Sequence, residues 1–240
     1  MPKTPGAGRP LASRLRSAKG RSAGSQRWLA RQLNDPYVRA AKAQGLRSRA
    51  AFKLLELDAK FHLLRPGARV VDLGAAPGGW TQVAARKVGP AGRVVALDLL
   101  PMEPVPGAVV LQGDFREAET ERQVEEALGG EADLVLSDMA PNTTGHAATD
   151  HMRIMALAEL ALDFALRVLA PGGAFVAKVF QGGAERELLA ALKRNFAAVR
   201  HAKPPASRKE SSELYVVATG FRGGAGARTG GEGAPGAAQT

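Results

Sequence analysis

The 240-residue chain is 45% hydrophobic and 23% charged, the balance of one soluble domain with tails or at most two small domains. It has no cysteine, which excludes disulfides, cysteine-ligated zinc and thiolate catalysis and suits a reducing cytoplasm, and no apolar run nears the ~20 residues that cross a bilayer. The formal charge of +10 is concentrated at one end: residues 1–53 hold 13 Lys and Arg against a single acid, Asp35, whereas the remainder is close to neutral. That asymmetry suggests a basic portion for a polyanion, nucleic acid first among the candidates.

Taken in chain order, residues 1–27 are rich in Gly, Ser, Arg and Pro, with too little apolar surface to offset the entropy of ordering them. The start, Met1-Pro2-Lys3, lacks the apolar stretch of a signal peptide. The Gly-rich residues 222–240 read like the leader, so a folded domain is expected over 28–221 between two disordered flanks. Asp35-Pro36 has the form of an N-cap followed by Pro in the first turn, opening a short helix to about Gln44. Ser48 is expected to cap a second helix with an apolar stripe at Ala51, Leu54, Leu55 and Phe61. Strand-like runs follow at Arg69–Leu73, Arg93–Asp98, Val109–Gln112, Asp133–Ser137, Ala174–Val179 and Leu214–Thr219. Helical patterns separate them at about 79–88, 117–128, 151–169 and 184–195. Strands alternating with such helices imply an α/β domain, a doubly wound, mostly parallel sheet covered on both faces.

In such a sheet ligands bind outside the carboxyl ends of the strands. The first strand runs through Val71-Asp72-Leu73 into Gly74-Ala75-Ala76-Pro77-Gly78-Gly79-Trp80 and then a helix, a turn whose glycines let backbone N–H groups approach a ligand. It is neither the G-x-G-x-x-G dinucleotide turn nor a P-loop. The second strand ends at Asp98, placed to accept from the hydroxyls of a ribose, and the third in Gly113-Asp114-Phe115, with a carboxylate where an adenine amino group would lie. A neutral turn with several carboxylates suits a cationic adenosine derivative such as S-adenosylmethionine better than a pyrophosphate. Strand-end aspartates also cap turns, and either Asp98 or Asp114 alone is compatible with that role.

The fourth strand ends in Ser137-Asp138-Met139-Ala140-Pro141-Asn142, and the fifth places Lys178 between Val, Ala and Phe. A lysine inside a central strand is paired, functional or snorkelling out of the strand end. Glu213 stands at the rim of the last apolar run.

These segments occur in order with Gly45-Leu46-Arg47-Ser48-Arg49-Ala50, Phe52-Lys53-Leu54, Asp98-Leu99-Leu100-Pro101-Met102 and Lys178-Val179-Phe180-Gln181-Gly182. From about Arg31 to Phe221 the chain resembles the bacterial ribosomal RNA large subunit methyltransferase E family, heat-shock-associated uridine-2′-O-methyltransferases of 23S rRNA. The resemblance implies a seven-stranded, Rossmann-like methyltransferase sheet and S-adenosylmethionine as cofactor. As partner it implies 23S rRNA within the large ribosomal subunit. The expected molecule is a cytoplasmic monomer without metal or membrane attachment. The family's Lys-Asp-Lys-Glu catalytic set falls on Lys53, Asp138, Lys178 and Glu213, and its cofactor contacts on Gly78, Trp80, Asp98, Asp114 and Asp138. One departure is Ser211-Ser212-Glu213-Leu214, where relatives often show Ser-Arg-Glu-Val.

A ribose 2′-OH is a poor nucleophile unless it loses its proton during attack. Lys178 is the expected base, with Lys53 holding the hydroxyl or an adjacent phosphate and the two carboxylates orienting the amines. Burial beside Val176 and Phe180 favours the neutral amine; Asp138 and Glu213 favour the charged one. The four histidines fall outside these motifs. Three rival readings are an adenine amino-methyltransferase, which would want an aromatic residue where Asn142 stands, a non-catalytic ribosome-assembly factor, and a metal-dependent enzyme ligating through Asp72, Asp98 or Asp138.

Overall fold

A computed structural model describes Gln26 and residues 32–141, 144–180 and 186–223. The expected leader, Gln26 excepted, and the tail beyond Gly223 lie outside the described residues, as do Asn142 and Gln181-Gly182.

Helix α1 (Pro36–Ala43) starts as its sequence dictates: the Asp35 carboxylate accepts the Tyr37 N–H at 2.9 Å, and Pro36 fills a first-turn position that needs no donor. Helix α2 (Ala51–Phe61) departs from the expected capping. Its N-cap is Ala50, and the Ser48 hydroxyl makes no hydrogen bond. The first-turn N–H groups of Ala51, Phe52 and Lys53 instead reach the carbonyls of Ser48, Arg49 and Ala50, so a tight backbone turn does the work of a side-chain cap. The buried face is also shifted: Phe52 and Leu57 join Ala51 and Leu54 inside, while Leu55 and Phe61 are only half-buried.

The remaining elements are β1 (Arg69–Leu73), α3 (Gly79–Val88), β2 (Arg93–Asp98), β3 (Val109–Gln112), α4 (Ala118–Leu128), β4 (Ala132–Ser137), α5 (Ala147–Val168), β5 (Leu169–Phe180), α6 (Arg186–Asn195), β6 (Phe196–Ala202) and β7 (Glu213–Phe221). The seven strands form one sheet in the order β3-β2-β1-β4-β5-β7-β6. β1 to β5 are parallel neighbours, and β7 runs antiparallel between β5 and β6. This is the doubly wound α/β class expected from the alternation. β6, absent from the apolar runs of the sequence, is an edge strand carrying Arg200 and His201 and exposing several positions, so it lacks the continuous apolar character of a central strand. β5 begins five residues earlier than its apolar run, and α5 begins four residues before its expected start.

Period-two alternation sends Val71 and Leu73 to one face and Val70 and Asp72 to the other. One core packs the first face against α4, α5 and α6 through Phe115, Val124, Phe164 and Leu192; the second packs the other against α2 and α3 through Phe52, Leu54, Trp80 and Val83. Both cores are apolar, built from aliphatic and aromatic side chains, and the second, near the strand ends, takes in Tyr215 and borders buried Asp72 and Lys178. Strand order reverses between β1 and β4. The crevice above that switch point is where the loops after β1, β2 and β4 meet. Among the described residues no helix is long and apolar enough to cross a membrane.

Candidate active site

The turn after β1 is shaped for close approach. Gly74 has φ +75°, and a Cβ there would stand 2.7 Å from the backbone of Met139 on the loop after β4, so any side chain would push the two loops apart. Gly78, at φ +100°, is the N-cap of α3, and no side chain caps the start of that helix. Asp98 closes the turn from β2: its carboxylate accepts Ala76 N–H and Leu100 N–H, each at 2.8 Å. It therefore shapes both loops that border the crevice and keeps further lone pairs for a ligand hydroxyl. Asp114 is gripped by Arg116, whose guanidinium and backbone N–H both bond it and hold its carboxyl down to about 2. Trp80 is buried. Its indole N–H donates to the Ala50 carbonyl at 2.8 Å and its ring lies 5.5 Å from that of Tyr215, so the side chain is a wall that joins α3 to β7.

Asp72 was not singled out as a contact residue by its motif, yet it lies fully buried beneath this turn. One carboxylate oxygen accepts from the Thr81 hydroxyl at 2.7 Å; the other is buried with no partner. Burial, aided by the charges of Asp138 and Asp98, pushes its carboxyl up to about 7. A glycine cradle bordered by the Asp98 carboxylate fits a cationic sulfonium cofactor better than a pyrophosphate.

The raised group has a consequence for stability. Its folded-state value lies above the unfolded one, so the stabilisation it gives is complete below pH ~4 and is lost as pH rises towards 7. Asp72→Asn removes that loss. The stability difference between variant and wild type should therefore move in the variant's favour from pH 4 to 7, by up to roughly 4 kcal/mol, and level off above. Urea unfolding across this range measures it, and a pH-independent difference would contradict the burial argument.

At the other side of the crevice the four sequence-predicted catalytic groups come together. Lys178 sits inside β5 with 9% of its side chain exposed; its ammonium lies 2.8 Å from a carboxylate oxygen of Asp138 and donates to the Asp138 carbonyl, also at 2.8 Å. Lys53, from the first turn of α2, pairs with Glu213 at 2.6 Å. Glu213 opens β7 and also accepts from the Ser207 hydroxyl at 2.9 Å. The two pairs are joined by a residue the motifs did not nominate. Tyr215 accepts from Lys53 Nζ at 3.0 Å and donates to Asp138 Oδ1 at 2.7 Å. The result is a continuous line, Glu213–Lys53–Tyr215–Asp138–Lys178. Two signals pointed to Tyr215: it lies two residues from Glu213, hence on the same face of the strand, and it is a phenol within an apolar run. What the sequence could not show is its register opposite Lys178.

The electrostatics follow from this geometry. Burial by itself would push Asp138 up, but the charges of Lys178 and Lys53 and the hydrogen bonds from Lys178 and Tyr215 outweigh it and hold the carboxyl below its ordinary range. Burial raises Tyr215 well above the ordinary phenol value, and the neighbouring carboxylates raise it further, so it remains a neutral hydrogen-bond bridge. Among the described residues no group of three or more His, Asp and Glu is arranged to hold a metal ion, and His151 is occupied in packing against Phe180, 6.3 Å between ring centres.

Comparison with known proteins gives concordant results. Residues 46–221 match the model of the FtsJ-like methyltransferase family. A protein of Granulibacter bethesdensis named ribosomal RNA large subunit methyltransferase E is 69% identical over 208 residues, covering 87% of this chain and 90% of the relative. Its namesake from Acidiphilium cryptum is 64% identical over 219 residues, 91% of this chain and 96% of the relative. Among solved structures, one described as a ribosomal RNA methyltransferase from Plasmodium falciparum superposes with a TM-score of 0.65 at 29% identity, over 74% of this chain and 99% of that one.

Proposed function

The chain belongs to the FtsJ-like methyltransferase family, and from that premise we propose that it transfers a methyl group from S-adenosylmethionine to the ribose 2′-OH of a uridine in 23S rRNA of the large ribosomal subunit. The observation that carries the reading is the buried line of two lysines, two carboxylates and a bridging phenol beside a glycine cradle. The names of the relatives supply the RNA, and the +12 surplus of residues 1–53 is the charge such a substrate needs.

Gly78 and Asp98 would hold the cofactor at the loops after β1 and β2, with Asp114 at the adenine end, Asp138 at the reacting end and Trp80 supporting the wall. When bound, S-adenosylmethionine supplies an electrophilic methyl group on a positively charged sulfur. The protein's own task is to deliver a desolvated oxygen nucleophile. Lys178, an ammonium in its pair with Asp138, first releases one proton to solvent; the amine then has two N–H donors, both matched by the Asp138 carbonyl and carboxylate, and its lone pair is directed away from Asp138. That lone pair takes the 2′-OH proton as the O–C bond forms, and the resulting ammonium is stabilised by the carboxylate at 2.8 Å. Lys53, anchored by Glu213 and Tyr215, keeps its third N–H for an oxygen of the target ribose or its phosphate. Tyr215 couples the two lysines in position, and with Trp80 it keeps water from reaching them from below.

The test is to incubate the protein with methyl-labelled cofactor and large-subunit particles from a strain lacking the enzyme, then digest the RNA to nucleosides. Label is expected in 2′-O-methyluridine. Label on a base would overturn the reading.

A further inference from the structure

Beyond the catalytic line lies a cavity of about 330 Å³, at the lower end of the size that small-molecule sites take, roughly 300 Å³ upwards. It is lined by Arg49, Lys53, Arg208, Ser211 and Glu213, together with Ala50 and Ala206. Resting on the RNA reading above, we infer that this cavity is a phosphodiester subsite that seats the RNA backbone next to the target ribose, with Arg208 as its anion-binding residue.

The charge arrangement singles out Arg208. Arg49 is paired with Asp35 at 2.9 Å, and Lys53 with Glu213 at 2.6 Å, so each of these cations already has its carboxylate. Arg208 lines the same space and, among the described residues, its guanidinium has neither an ion pair nor a side-chain hydrogen bond. A half-buried guanidinium without an acceptor, facing a cavity that adjoins two further cations, is matched by a phosphate, whose oxygens accept its two parallel N–H groups. A guanine edge accepts the same fork but brings no opposite charge, whereas a phosphate brings both.

The wall that carries Arg208 is built to hold a fixed position. The loop between β6 and β7 is tethered at Ala206, whose N–H donates to Glu56 at 2.7 Å and whose carbonyl accepts from Arg49. Ser207 is bound to Glu213, and Lys203 spans the loop to the carbonyls of Lys209 and Ser211. Arg49 is fixed from behind by the Tyr37 ring. Such fixing limits the ordering entropy that binding must overcome. The same Glu213 that anchors Lys53 therefore also anchors this loop, so a backbone seated against Arg208 is placed directly beside the lysine that meets the reacting nucleotide.

The experiment compares wild type, Arg208→Gln and Arg208→Lys in methyl transfer to large-subunit particles at several salt concentrations, with cofactor affinity measured separately. For Arg208→Gln the KM for particles should rise about tenfold, the size of one lost charge-assisted contact, with kcat within about twofold. Cofactor affinity should not change, and the slope of log kcat/KM against log salt should become shallower by about 0.7, the value for one single-stranded phosphate contact. Arg208→Lys should restore the slope but only part of the KM, because the charge returns without the planar fork. A wild-type KM and slope in Arg208→Gln would overturn the subsite, as would a fall in kcat at unchanged KM. A changed preference for the target base with an unchanged slope would show that the cavity seats a base, and also overturn it. Failure of wild type itself to methylate the RNA would sink the functional reading and this one with it.

Discussion

Lys178→Ala is expected to reduce single-turnover methyl transfer by about 10²–10⁴-fold, the usual worth of a positioned general base, while S-adenosylmethionine binds within about threefold of wild type. The asymmetry follows from where the residue sits. The polar partner of the Lys178 ammonium among the described residues is Asp138, whereas the cradle after β1 and the Asp98 clasp are made by other residues and stay intact. An interaction made only in the transition state lowers kcat without weakening ground-state binding. Removing one member of a nearly buried pair also destabilises the fold, so thermal unfolding must accompany the kinetics. Lys178→Arg separates the two effects. It keeps the positive charge beside Asp138, yet a guanidinium cannot accept the proton, and it should be folded and nearly inactive. A Lys178→Arg enzyme with more than about a tenth of wild-type turnover would refute the base assignment.

The opposite pattern is expected for Asp98→Ala. The variant loses the carboxylate offered to a ligand and also the acceptors for Ala76 N–H and Leu100 N–H, so both loops relax. Hydrogen bonds to a charged group contribute about 1.5–3 kcal/mol, which corresponds to a weakening of cofactor affinity of about 10–150-fold. Turnover at saturating cofactor should fall by only a few fold, because the Lys178–Asp138 line lies on other elements. Titration calorimetry gives the affinity directly. Unchanged affinity would show that Asp98 serves the turn alone, the capping role that its strand-end position also permits.

Much of this site is legible in one dimension because its parts are local. The glycine turn, Asp98 and Asp138 each stand at the end of an apolar strand, and a parallel sheet must gather such ends along one edge. Lys178 declares itself by being charged inside a run that is otherwise buried. The Ser48 cap failed where local chemistry was read without its neighbours: a serine before a helix is a good cap, but here the turn over 48–50 satisfies the same donors from the backbone. β6 was hidden because an edge strand need not be apolar on both faces.

What the sequence by itself determined was the α/β class and the sheet edge where strand-end motifs gather, since periodicity and such motifs follow from short-range geometry; the set Lys53, Asp138, Lys178 and Glu213 was nominated by the family resemblance. The tertiary structure alone decided how those groups meet. β7 is inserted antiparallel between β5 and β6, and its register sets Tyr215 opposite Lys178 and Glu213 opposite Phe180. That pairing closes the line from Glu213 through Lys53 and Tyr215 to Asp138 and Lys178. Parallel strands recur with the alternation of helices, but the direction and register of a last, returning strand depend on contacts across the whole sheet, a non-local choice that no single segment encodes.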